Sequence, residues 1–145
     1  MSVSDLLAVA AILVSILSAV YARYSVSESK RANSIALLAE RKQIFKDFYS
    51  LKSHMVAFGN SAKMKEVVKF NTSMQGAKLL LPQSLADELD TYFKICFDMA
   101  RVYEKSKGFI SEIEEEAFDL AEKEIEFGNR LEKRFSSYIT ASINA

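Results

Sequence analysis

The hydrophobic and polar positions divide the chain into an apolar N-terminal run and a longer segment in which charges occur in most turns. No charged residue lies between Leu6 and Ala22, and with Val3 and Tyr24 at its ends the run comprises about 20 residues, or roughly 30 Å of helix. This length matches the hydrocarbon thickness of a bilayer. We therefore predict a transmembrane anchor over residues 1–24.

A cleaved secretory signal peptide is the alternative interpretation of the same run. Val20-Tyr21-Ala22 has the character of a cleavage site. However, Asp5 is the only charged residue before the apolar run, so the basic region that begins a typical signal peptide is missing. The residues after Ala22 also continue a helical pattern. Both observations favour an anchor that is retained.

Basic residues are distributed unevenly on the two sides of the predicted anchor. None precedes the apolar run, whereas Arg23, Lys30, Arg31, Arg41 and Lys42 follow it. Because segments rich in Lys and Arg stay on the cytoplasmic side, this asymmetry predicts an N-terminus that faces out and a cytoplasmic C-terminal domain.

Small residues form a stripe down one face of the predicted anchor. They recur at alternating three- and four-residue steps, and small residues allow transmembrane helices to approach closely. The stripe is a candidate self-association face, although alanine and serine are also common in spans that do not associate. Its members are Ala8, Ala11, Ser15, Ser18 and Ala22.

The rest of the chain has the pattern of a stalk followed by amphipathic helices. Residues 25–40 are polar and contain neither Pro nor Gly, which predicts a helical stalk that continues the membrane helix. Residues 41–145 form the predicted bundle domain, whose four helices are each indicated by apolar residues that recur with the period of a helix. The short connections between these helices favour antiparallel neighbours. We predict an all-α fold in which one N-terminal transmembrane helix continues through the stalk into an antiparallel four-helix bundle.

Chain-breaking residues define the first two helices of the predicted bundle. The first helix ends at Gly59-Asn60, because glycine readily adopts the conformation that stops a helix. Asn60 or Ser61 then caps a second helix, since their side-chain oxygens accept early backbone N–H groups. Pro82 closes this second helix.

Two capping boxes define the other two helices. The third helix begins with the capping box at Ser84–Asp87 and ends at Lys107-Gly108. The fourth begins with the capping box at Ser111–Glu114 and extends to about Ser142.

Composition limits the chemistry that the chain can perform. The 19 Lys and Arg residues balance the 19 Asp and Glu residues, and no basic aromatic stripe is present, so no nucleic acid is expected as a partner. His54, the only histidine, lies next to an apolar stripe and is predicted at the rim of the bundle. Cys96, the only cysteine, lies within a stripe and is predicted as a buried small side chain, so a Cys–His nucleophile is an unsupported alternative. The sequence predicts no catalytic site, metal or cofactor.

Acidic residues are concentrated between Glu112 and Glu126. Such a run can bind a cation or a basic partner, but a solvated helix face is the commoner reason for it. Asp119 lies four residues before Lys123, and Glu126 lies four before Arg130, which predicts ion pairs along this face.

Short motifs relate nearly the whole chain to other proteins. They are Glu40-Arg41-Lys42-Gln43-Ile44-Phe45 after the stalk, Lys69-Phe70-Asn71 with Ala77-Lys78-Leu79-Leu80-Leu81 before a turn, and the closing Phe135-Ser136-Ser137-Tyr138-Ile139. In these motifs the chain resembles a loose group of uncharacterised small bacterial membrane proteins with an N-terminal anchor and a helical cytoplasmic domain. The resemblance implies a bacterial inner-membrane location and no activity. Similar anchored helical chains occur among mobile-element and phage-defence proteins.

An anchor and a bundle without chemistry favour a membrane-tethered interaction or scaffold protein. Its expected partners are the lipid bilayer and either a second protein or further copies of the chain. One alternative is an oligomerising membrane effector, such as a phage-defence or toxin-like component that uses the small-residue stripe. An enzyme is the least favoured alternative.

Overall fold

A computed structural model of the chain describes residues 2–105 and 114–143, except for the side chains of residues 114–116. These residues form α1 (Val3–Phe58), a 3₁₀ turn (Gly59–Ser61), α2 (Met64–Leu80), α3 (Gln83–Lys105) and α4 (Glu114–Ile143). The prediction of an all-α fold is confirmed. By its contacts the chain divides into two compact units, Met1–Leu37 and Leu38–Ala145.

The first unit consists of the N-terminal part of α1. Its helix begins with a reciprocal cap: the Ser2 hydroxyl accepts the Asp5 N–H (3.3 Å), and the Asp5 carboxylate accepts the Ser2 N–H (2.8 Å). The side chains of residues 2–36 are exposed. A helix suits an apolar segment of this kind, because its backbone groups are satisfied within the segment itself.

The second unit contains the hydrophobic core, to which all four helices contribute. Three aromatic rings lie at its centre: Phe48 of α1 is 5.3 Å from Tyr92 of α3 and 6.1 Å from Phe135 of α4, between ring centroids. Phe45 meets Phe135 edge to face at 5.1 Å. α2 adds Val67, Phe70, Met74 and Ala77 to this core.

Contacts between neighbouring helices pair residues in opposite chain order. Between α1 and α2, the Arg41 side chain bonds to Leu80, the Asp47 carboxylate to Ser73, and the His54 ring to Lys63. The α3–α4 pair follows the same order, since Glu88 contacts Arg134 and Tyr92 contacts Glu124. The pairs Phe45–Phe135 and Lys52–Asn129 repeat this order between α1 and α4.

The turn after α1 confirms one predicted boundary and corrects another. Gly59 has a φ of 49° and follows the last residue of α1, as its ability to adopt left-handed conformations predicts. However, α2 begins at Met64, and its N-cap is Lys63 rather than Asn60 or Ser61. The 3₁₀ turn over Gly59–Ser61 already uses these residues, so the predicted caps were wrong.

The start of α3 also differs from its predicted position. α3 begins at Gln83, directly after Pro82, whose carbonyl accepts the N–H groups of Leu85 (2.9 Å) and Ala86 (3.0 Å). Ser84 therefore lies inside the first turn and is not a cap. Its hydroxyl instead accepts a hydrogen bond from the Arg134 guanidinium at 3.0 Å. The predicted end of α3 at Lys107-Gly108 and the predicted capping box that begins at Ser111 fall outside the described residues.

Candidate functional site

α1 contains a segment that is long and apolar enough to cross a membrane. The sequence-predicted stripe lies on this segment, and its five residues Ala8, Ala11, Ser15, Ser18 and Ala22 are all exposed in the single chain. The Ser15 hydroxyl donates to the Ala11 carbonyl of the same helix at 2.9 Å. Self-association through the stripe stays a prediction.

A polar cluster lies inside the core of the second unit. Tyr92 and Cys96, one turn apart on α3, are both 0% exposed, and Glu124 of α4 is 3% exposed. The Tyr92 hydroxyl donates a hydrogen bond to a Glu124 carboxyl oxygen. We call these three residues the core polar cluster. Among the described side chains, Glu124 is the one charged group that is buried.

Burial determines the protonation of the core polar cluster. It raises the pKa of the Glu124 carboxyl above its ordinary value, while the hydrogen bond from Tyr92 and the charge of Lys52 act in the opposite direction. Burial likewise raises the pKa of the Tyr92 hydroxyl and of the Cys96 thiol. Tyr92 is therefore held as a hydrogen-bond donor and Cys96 as a neutral thiol, which is a poor nucleophile.

Lys52 of α1 is the cation whose charge acts on Glu124. Its ammonium group forms an ion pair with Glu132 and donates to the Asn129 side chain at 2.7 Å, both on α4. None of the ion pairs among the described residues includes Glu124, so Lys52 acts on it only through its charge at a distance. A carboxylate in this position is hence poorly compensated.

The structure confirms the solvated face for part of the acidic run and corrects it at Glu124. Asp119, Glu122 and Glu126 are exposed, and Asp119 pairs with Lys123 at 2.5 Å as predicted. Glu124, however, lies in the apolar stripe of α4, four residues after Leu120 and three before Phe127. This spacing was the signal in the sequence that could have identified Glu124 as a core residue.

The second predicted ion pair of the run, Glu126 with Arg130, does not form, although both residues are described. The Arg130 guanidinium lies over the ring of Phe127, 4.6 Å from its centroid, and not on Glu126. Cation–π contact with a neighbouring aromatic residue thus takes the place of the ion pair.

His54 lies at the rim of the bundle, as predicted, and has a defined structural role. Its Nε2 accepts the backbone N–H of Lys63 at 3.1 Å, and its ring packs on Phe58 with centroids 4.6 Å apart. The ring therefore replaces a capping side chain at the start of α2, where Lys63 itself supplies none.

A groove of about 230 Å³ runs beside His54 between α1 and α2. Four of its polar side chains form two pairs: Ser73 donates to the Asp47 carboxylate at 2.5 Å, and Lys69 donates to Glu66 at 2.6 Å. Within the described residues no group of three or more His, Cys, Asp or Glu side chains is placed to hold a metal ion.

Large apolar side chains are exposed on two adjacent helices of the second unit. Val56 of α1 is 72% exposed and Phe118 of α4 is 71% exposed, and Tyr49 and Ile125 are also exposed. Val56 lies one turn after Lys52, and Ile125 lies one turn before Asn129. Because Lys52 contacts Asn129 and the two helices pair in opposite order, Val56 and Ile125 lie at the same level. Tyr49 and Phe118 lie two turns away from this level, in opposite directions along the pair of helices. We call Val56 and Ile125 the α1–α4 apolar surface.

Comparison with protein-family models, curated proteins and solved structures finds no match to this chain. The geometry described above is therefore the basis on which its function is inferred.

Proposed function

We propose that the chain is a membrane-tethered interaction protein. In this proposal the N-terminal segment of α1 anchors it in the bacterial inner membrane, and an antiparallel four-helix bundle in the cytoplasm binds a second protein or further copies of the chain. The apolar length of α1 and the basic residues that follow it support the tethering.

The observation that carries the interaction is the α1–α4 apolar surface. Soluble domains seldom expose neighbouring large apolar side chains without a use for them, and such surfaces are typical of protein contacts. The acidic residues Asp119, Glu122 and Glu126 are exposed on the same helix as Ile125, within two turns of it, and can supply the polar rim that interaction surfaces have.

Photo-crosslinking in cells tests this proposal. A crosslinking amino acid replaces Val56 or Ile125 in the full-length chain, and in the matched control it replaces the exposed Thr91 of α3. We expect adducts from positions 56 and 125 and none from position 91. The mass of the adduct distinguishes a second copy from a different protein.

Two results would contradict the proposal. One is an equal adduct yield at all three positions, which would show that the α1–α4 apolar surface contacts other proteins no more often than the control position does. The other is a full-length chain that is found in the soluble fraction of the cell, because an untethered chain cannot act as a membrane-bound interaction protein.

A further inference from the structure

The core polar cluster joins α3 to α4 through a hydrogen bond to a buried carboxyl group. Glu124 is 3% exposed, and its partner Tyr92 is 0% exposed. The hydrogen bond from Tyr92 is compatible with both forms of the carboxyl group, because a protonated carboxyl keeps a carbonyl oxygen that accepts. What changes with protonation is the charge that α4 must bury.

The surroundings of Glu124 do not neutralise this charge. α3 contributes Tyr92 and Cys96, which are both uncharged, and α1 contributes Lys52, which is held by Glu132. The 3₁₀ turn Gly59–Ser61, which also packs on α4, contains no titratable group. Burying an ionised carboxyl without a direct partner is unfavourable, and opening the contact to water relieves that penalty.

We propose that the Glu124–Tyr92 pair is a proton-controlled latch, which holds α4 on α3 while Glu124 is protonated and loosens α4 when Glu124 is ionised. This inference does not depend on the proposed function.

The direction of the effect follows from proton linkage. Burial raises the pKa of Glu124 in the closed state, so the closed state binds the proton more tightly than the open state. Between the ordinary glutamate value of 4.5 and the raised value, the closed state loses stability as the pH rises. Below this window the full stability of the contact is present, and above it the loss is complete.

Cys96 provides a reporter of the latch, because it is the only cysteine and is 0% exposed. Alkylation of its thiol by N-ethylmaleimide requires the contact to open. The rate is measured on the full-length chain in detergent micelles between about pH 5 and about pH 8.5. Each rate is divided by the rate for the same chain denatured in guanidinium chloride at the same pH, which removes the intrinsic pH dependence of the thiol and leaves a protection factor.

Glu124→Gln is the test variant, since it removes the charge but keeps an oxygen that accepts from Tyr92. We expect the ratio of wild-type to Glu124→Gln protection to fall by up to about tenfold for each pH unit inside the window and then to level off. Glu122→Gln, an exposed neighbour, is the matched control and is expected to follow the wild type.

A wild-type protection factor that does not change with pH, or a Glu124→Gln chain that retains the wild-type pH dependence, would overturn the latch. The wild-type measurement alone decides the matter if the Glu124→Gln chain does not fold, as judged by its helical circular dichroism.

Discussion

Gly128 lies where α4 passes closest to the ring of Tyr92. A Cβ at this position would lie 2.9 Å from Cε2 of Tyr92 and 3.3 Å from its hydroxyl oxygen. The ring is fully buried and packed on Phe48, so it cannot move aside freely. We expect Gly128→Ala to lower the free energy of unfolding by about 1–3 kcal/mol, measured by denaturant titration of the full-length chain in detergent.

Gly76 of α2 is the matched control for this substitution. The nearest atom to a Cβ there is Cδ1 of Ile44, at 4.0 Å, which is ordinary contact. Alanine is favoured over glycine inside a helix, so Gly76→Ala is expected to raise the free energy of unfolding by up to about 1 kcal/mol. If both variants were equally stabilised, the close approach of α4 to Tyr92 would be wrong.

The stability of the bundle is also expected to depend on His54. His54→Ala removes the acceptor of the Lys63 N–H and the contact with Phe58, and we expect it to destabilise the bundle by about 1–2 kcal/mol. Denaturant titration measures this, with the exposed neighbour Ser53→Ala as the control that should change little. An unchanged stability of the His54→Ala chain would show that water satisfies the Lys63 N–H equally well.

Sequence patterns predicted some of these residues better than others. Cys96 was correctly predicted as buried, because an apolar stripe indicates burial regardless of the fold. The role of His54 was not predictable, since its partner is a backbone N–H nine residues later that depends on the shape of the turn. Glu124 was placed on the wrong side of α4, because residue type was given more weight than position in the stripe.

At the scale of whole helices, Arg41 connects three of them. It lies on α1, its Nε donates to the Leu80 carbonyl in the last turn of α2 at 2.9 Å, and its guanidinium lies 5.6 Å from the ring centroid of Tyr138 on α4. The carbonyls of a last turn have no partner within their own helix, so Arg41 satisfies one that would otherwise depend on water.

Arg41→Gln should therefore destabilise the bundle by about 1–2 kcal/mol, through the loss of one hydrogen bond and one cation–π contact. Lys42→Gln changes the charge by the same amount at an exposed neighbouring position and is expected to leave stability nearly unchanged. Both are measured by denaturant titration. Equal effects of the two substitutions would mean that Arg41 acts only through its charge.

Helix ends were predicted where the backbone alone decides them. Gly59 ends α1 because it adopts a left-handed conformation, and Pro82 separates α2 from α3 because it lacks an N–H. The caps at Asn60, Ser61 and Ser84 were wrong, because a serine or asparagine is suited to several positions in a turn. Asn60 and Ser61 lie in the 3₁₀ turn, and the Ser84 hydroxyl bonds to Arg134. Both arrangements depend on tertiary packing, which the local sequence does not reveal.

At the scale of the whole molecule, the apolar segment of α1 makes the strongest prediction. Replacing both Leu13 and Ile16 by arginine places two charges near the middle of the predicted span. Each charge makes the free energy of membrane insertion less favourable by about 2.5–3.5 kcal/mol. We expect this chain to leave the membrane fraction on extraction with alkaline carbonate. Ser27→Arg with Ser29→Arg, which lies beyond the span, should remain in the membrane.

Intact-mass measurement of the chain from cells separates the anchor from a cleaved signal peptide. If the anchor is retained, the measured mass includes residues 1–22; the mass of residues 1–145 is 16.3 kDa. A product shortened by the residues up to Ala22 would contradict tethering through α1.

The all-α fold could be predicted from the sequence because helical periodicity and the scarcity of Gly and Pro are local properties. The exposed positions of Val56 and Phe118 could not, since the same residue types fill the core elsewhere in the chain. Their exposure depends on which faces of α1 and α4 pack into the core, and that is a property of the folded chain.

The contact of Phe48 with Phe135 has a consequence for biosynthesis. The two residues are about 90 positions apart, and ribosomes add about 5–20 residues per second, so roughly 4–18 s separate their synthesis. During that time the apolar face of α1 around Phe48 lacks its α4 partner. We expect the nascent chain to depend on chaperones or on the membrane insertion machinery in this interval, and to aggregate when translation is stalled before Phe135.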